Sequence, residues 1–111
     1  MLSLGIDIGS SSVKVAIYDH TLGKAVGSGQ FPDAEMTMIA HQQGWAEQEP
    51  NWWWDAFNQA FQRACKTANI NPKSIETIGI SYQMHGLVCL DKDYEPLRPS
   101  IIWCDSRAVE I

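Results

Sequence analysis

Asp7 ends the apolar run Gly5-Ile6-Asp7-Ile8, and Gly9-Ser10-Ser11-Ser12 and Lys14 follow it directly. A carboxylate at the end of an apolar strand is costly unless water, a cation or a hydrogen bond answers it. In that position Asp7 can hold magnesium, usually through water. Gly9 lets the backbone turn tightly. Ser10, Ser11 and Ser12 then offer hydroxyls and N–H groups that can cradle phosphate oxygens, and Lys14 adds positive charge one strand further on. The spacing is neither GxxxxGK nor GxGxxG. An ordinary hairpin turn also favours Gly and Ser, which accounts for these residues but not for the carboxylate.

Two more groups have types suited to chemistry. Gln83-Met84-His85-Gly86 follows an apolar run, and ligands of open α/β sheets collect beyond the carboxyl ends of strands. His85 can donate and accept hydrogen bonds to hydroxyls, and Gly86 leaves space; a capped loop with a satisfied histidine explains the same residues. In Trp103-Cys104-Asp105-Ser106-Arg107 the indole suits the C–H face of a polyol and the carboxylate its hydroxyls. An Asp105–Arg107 surface ion pair is the plainer reading. Trp52-Trp53-Trp54 points three ways on a helix, which favours core packing over a carbohydrate platform. Glu47, Glu49 and Asp55 read as charges compensating the helix dipole.

The elements that must position these groups follow from periodicity. Residues 2–8, 13–18 and 24–31 alternate or run apolar between polar turns and predict an antiparallel meander, its third strand weakened by Gly27 and Gly29. Residues 32–49 read as a loop with a short strand near 37–40. Pro50 starts a helix with Trp53, Phe57, Ala60, Phe61, Ala64 and Ala68 on one face, ending before Asn71-Pro72. Ile75–Tyr82 reads as a central strand, and 86–91 and 99–103 as two strands around the turn at Asp91. This is an α/β arrangement with a mixed sheet and a flanking helix.

The 111 residues allow one domain, and 45% apolar with 19% charged residues is ordinary for a globular one. The net charge of −5 speaks against nucleic-acid and polybasic membrane binding. No basic leader or apolar span is evident. Cys65, Cys89 and Cys104 show no paired spacing and read as buried reduced thiols of a cytoplasmic protein; no metal-ligand spacing joins them to the histidines.

Taken together, these motifs resemble the N-terminal part of the FGGY carbohydrate kinases. Residues 5–14 are similar to that family's G-I-D-x-G-T/S-S/T-x-x-K, Gly44–Pro50 with Trp52-Trp53 to W-x-E-x-x-P-x-x-W-W, and Leu97–Arg107 to L-R-P-A-I-L-W-N-D-x-R. Gln83-Met84-His85-Gly86 resembles the Q-M-H-G of the family's xylulose-phosphorylating members. Cys104 stands where Asn or Gln is usual, and Ser10 where Thr is commoner.

The resemblance implies a ribonuclease-H-like, actin-type fold in each of two domains and transfer of the ATP γ-phosphate to a sugar hydroxyl. On it, residues 1–111 are an incomplete first domain, and the family's base, an Asp of the second domain, is absent from this sequence. It implies Asp7 as catalytic and near magnesium, Gly9, Ser10, Ser11, Ser12 and Lys14 on the ATP phosphates, and Met84, His85, Asp105 and Arg107 on the sugar. Ribulose, gluconate, rhamnulose, glycerol and autoinducer kinases share the family. A non-catalytic actin-like nucleotide- or partner-binding module is the alternative of another class. The fragment itself is expected to be inactive and to self-associate.

Overall fold

The computed structural model describes residues 1–109. Three strands, β1 (Leu2–Ile8), β2 (Val13–Asp19) and β3 (Lys24–Phe31), form the expected antiparallel meander. A two-residue strand β4 (Glu47–Gln48) precedes helix α1 (Pro50–Ala68), and β5 (Ile75–Tyr82) then returns parallel to β1. The sheet order is β3-β2-β1-β5, a mixed sheet. Among the described residues no helix is long and apolar enough to cross a membrane.

Alternation decides the two faces. Leu4, Ile6, Val13, Val15 and Ile17 are buried on the side that carries α1, beneath Ala56, Ala60, Ala64 and Cys65. Burying a side chain of that size contributes about 1.5–3 kcal/mol. Gly27 and Gly29 do more than weaken β3. A Cβ at Gly27 would overlap the Ala64 carbonyl oxygen, and one at Gly29 the Ala60 carbonyl oxygen. The helix therefore sits directly on the strand, alanine against glycine. At its end Asn69 takes a left-handed conformation (φ 53°), and the Asn69 and Ile70 N–H groups donate to the Lys66 and Cys65 carbonyls.

Two expectations change. Among the described residues Ile75–Tyr82 is the outer strand of the sheet where a central one is expected: α1 lies over β2 and β3, so Ile78 and Ile80 on the helix side of β5 are 62% and 59% exposed. Residues 86–103 form only β6 (Ser100–Ile101), which pairs antiparallel with β4, plus single bridges from Leu87 to Ile101 and Leu90 to Pro96. Pro96 and Pro99 have no N–H to give to a ladder. The turn at Asp91 is present, its carboxylate accepting from the Asp93 and Glu95 amides. A single bridge, Ile39 to Glu47, represents the strand expected near residues 37–40.

Cys65 is buried, which pushes its thiol up, and Cys89 is half-buried. Cys104 is exposed, contrary to the expectation of buried thiols. It lies in a loop that follows the strand, beyond the core.

Candidate functional site

The face of the sheet away from α1 carries a polar row. Strand register places Gln30, Lys14, Asp7 and Ser81 side by side across all four strands. The next row is Ser28, Ala16, Gly5 and Gly79, small enough to leave an open floor. Both rows border a cavity of about 950 Å³. Asp7 and Lys14 are exposed, and among the described residues no ion pair engages either.

Beyond Asp7 the turn is tight. The Gly9 N–H donates to the Ser12 carbonyl at 3.1 Å, and a Cβ at Gly9 would stand 3.0 Å from that oxygen. The three hydroxyls do not share one mouth, contrary to the expectation. Ser12 is buried, and the Ser11 hydroxyl donates to Glu35 Oε1 at 3.1 Å. Ser10 Oγ accepts from Trp103 Nε1 at 3.2 Å and keeps its own proton to give. The Ser10 carbonyl accepts from Gln48 Nε2 at 2.6 Å. Among the described residues the amides of Ser10 and Ser11 have no acceptor.

A second cavity, about 380 Å³, opens at the carboxyl ends of β1 and β5, where the Gln83 amide donates to the Ile8 carbonyl at 2.8 Å. Trp53, Tyr82, Gln83, Met84 and His85 line it, and Trp103 joins Tyr82, Met84 and His85 around an adjoining recess. His85 holds φ 63°, a left-handed conformation that turns the chain sharply into Gly86. Gln83 buries both polar atoms of its side-chain amide, which have no partner among the described residues. Gln83 belongs to the group that the sequence singles out, whereas Trp53 reads there as core packing. Trp53 packs on the core and walls the cavity at once, so helical period alone could not separate the two roles.

Asp105 and Arg107 line neither cavity. Asp105 accepts from the Ala46 amide at 2.6 Å and from Arg107 through its backbone N–H, Nε and Nη2 at 2.7–2.9 Å. Arg107 Nη2 also donates to Glu47 Oε1 at 2.7 Å, and its guanidinium stacks on Trp45 at 3.9 Å. Arg98 binds the same Glu47 oxygen. The Arg107 side-chain bonds hold the Asp105 carboxyl well below the usual carboxylate range, against burial and helped by the Ala46 and Arg107 amides. Arg107 is raised in return. Glu47, read from sequence as a dipole charge, is a buried hub at 3% exposure. Its position at a strand just before a proline-started helix hid that role.

The family model described as FGGY family of carbohydrate kinases, N-terminal domain, matches residues 2–111. The xylulose kinase of Haemophilus influenzae is 40% identical over 108 residues, covering 94% of this chain and 21% of that protein. A crystal structure described as a xyloylose kinase from Brucella ovis superposes with a TM-score of 0.86 at 34% identity, over 96% of this chain and 22% of that one. The Plasmodium falciparum glycerol kinase with ADP superposes at 0.82 and 25% identity, over 98% of this chain and 21% of that one. The chain thus spans about a fifth of the length of the relatives it matches. The fold is the actin-like ATPase fold of these kinases, as the family resemblance implies.

Proposed function

Because the chain belongs to the FGGY family of carbohydrate kinases, as its N-terminal domain, we propose that the full-length protein transfers the γ-phosphate of ATP to a hydroxyl of a pentulose such as D-xylulose. In this reading residues 1–111 are part of the first of two lobes, and the protein works in the cytoplasm, where ATP is made. The observation that carries it is the placement of Met84 and His85 in one cavity at the strand ends, beside Trp103, whose indole N–H donates to Ser10 Oγ in the turn after Asp7.

The residues present fit ATP with magnesium. Two amides unanswered among the described residues, a Ser10 hydroxyl with a proton to give, and a carboxylate and an ammonium that no described residue pairs suit a phosphate chain with its cation. Bound ATP would supply the phosphoryl group and magnesium would offset its charge. Gly9 sets the turn, the Ser10 and Ser11 amides would donate to phosphate oxygens, Lys14 would offset negative charge, and Asp7 would hold magnesium through water. Ser12, buried, serves the turn from inside.

His85 exchanges hydrogen bonds with sugar hydroxyls, while Met84, Trp53 and Trp103 cover C–H surfaces. Asp105 and Arg107, engaged with each other and Glu47, hold the loop that presents Trp103 and do not touch sugar. Among the described residues no carboxylate lines the His85 cavity, so the group that takes the hydroxyl proton comes from the remaining chain.

A coupled assay of the full-length protein against D-xylulose, ribulose, gluconate, rhamnulose and glycerol tests this. D-xylulose should give the highest kcat/KM. Preference for glycerol or gluconate would overturn the pentulose assignment. Turnover with none of the sugars would overturn the kinase reading and leave a non-catalytic nucleotide-binding module.

A further inference from the structure

We infer that Gln48 is a positioning residue that locks the Ser10 turn to the Trp53 wall of the His85 cavity. Its side chain is completely buried at 0% exposure, which obliges both ends of the amide to find partners. Nε2 donates to the Ser10 carbonyl at 2.6 Å and to the Thr37 carbonyl at 3.3 Å, while Oε1 accepts from Trp53 Nε1 at 3.0 Å. One amide therefore spans the turn whose N–H groups face the proposed phosphates and the indole that walls the proposed sugar cavity.

Local backbone fixes the donor and acceptor. Gln48 lies in β4, paired with Ser100, two residues before α1 begins. The helix start carries Trp53 to the Oε1 side, and the Gly9–Ser12 turn reaches the Nε2 side. The amide cannot flip without placing an N–H against an indole N–H and a carbonyl against a carbonyl. Ser10 is held from its other side by Trp103, which borders the recess next to His85. Loss of Gln48 frees both the turn and the cavity wall, although the side chain touches neither substrate.

This inference rests on the kinase reading, and kinetics of the full-length protein test it. Gln48→Met keeps the side-chain length and removes all three hydrogen bonds. It should raise KM for both ATP and sugar by about fivefold or more, the scale of lost positioning bonds. Trp53→Phe frees only one end, so it should raise the sugar KM while leaving the ATP KM within about twofold. A purely structural Gln48 would lower the folded fraction and leave both KM values unchanged, which overturns the inference. If Gln48→Met does not fold, Gln48→Asn decides on the same criterion, because its shorter amide cannot span both partners. Should wild-type protein phosphorylate no sugar at all, the functional reading fails first; wild-type turnover with unchanged KM values in the variant sinks only the role of Gln48.

Discussion

Asp7 and Lys14 stand directly opposite each other in the β1–β2 register on the open face of the sheet, and no ion pair joins them. Opposite charges at that spacing gain little in water, which leaves both groups free for a ligand. Asp7→Asn in the full-length protein should therefore lower kcat at least tenfold, a barrier increase of at least about 1.4 kcal/mol, with the sugar KM within about threefold. Steady-state kinetics with D-xylulose measures both. A variant retaining more than about a tenth of wild-type turnover removes Asp7 from the proposed role.

His85 sits in a left-handed turn within the cavity that Trp53 and Met84 line. His85→Ala should raise the sugar KM about fivefold or more and leave the ATP KM nearly unchanged. His85→Asn should lie between, because Asn tolerates the left-handed conformation and keeps a hydrogen-bonding group. Equal effects on both substrates would show that the turn, not the imidazole, is what matters.

Much of this arrangement could be read from the chain before any coordinates. The period-two alternation of Val13, Val15 and Ile17 could only be a half-buried strand, and Pro50 with the apolar positions to Ala68 fixed the helix within a residue or two. Asp7 and His85 stood out because a carboxylate and an imidazole end apolar strands. The Asp105–Arg107 pairing was legible; the roles of Glu47 and Gln48 and the burial of that pair were not. The contacts that decide them join Arg107 to Glu47, Ala46 to Asp105 and Gln48 to Ser10 across 60, 59 and 38 residues of sequence. No local period records such a contact. The neighbours of β5 are not legible for a related reason: an apolar strand signals that it wants covering on both faces, not which segments cover it.

Stability should respond to pH through Asp105. Its carboxyl is held below the ordinary range by Arg107, so the stability it provides is fully present above the unfolded value of about 3.9. That contribution is lost as pH falls from there toward the folded value. Wild-type protein should thus lose stability more steeply than Asp105→Asn on acidification below about pH 4. Urea midpoints taken across that range measure it, and parallel curves would show that Asp105 titrates as an ordinary carboxylate.

The contact between β3 and α1 leaves no room at Gly29, where a Cβ would overlap the Ala60 carbonyl oxygen and approach Arg63 Cβ to 2.9 Å. Gly29→Ala should destabilise the protein by about 1–3 kcal/mol, the usual cost of overpacking, despite the better strand propensity of alanine. Chemical denaturation gives the value. A cost below about 0.5 kcal/mol would mean that the helix can shift off the strand freely.

The last prediction concerns this 111-residue chain by itself. Helix α1 covers β2 and β3, and on the same side of the sheet Ile78, Ile80 and Tyr82 remain 62%, 59% and 67% exposed. Contiguous apolar surface of this kind drives association. The outer edge of β5 adds a row of backbone groups that no strand pairs among the described residues. The isolated chain should therefore form dimers or larger species in sedimentation experiments, and Ile78→Lys with Ile80→Lys should shift it toward monomer by placing two charges on that surface. It should also show no sugar-dependent ATP turnover, since among the described residues no carboxylate lines the His85 cavity to accept the hydroxyl proton. A wild-type chain that stays monomeric at high concentration would show that this face is less adhesive than its exposure implies. Turnover above that of an Asp7→Asn control would place the proton acceptor within these residues.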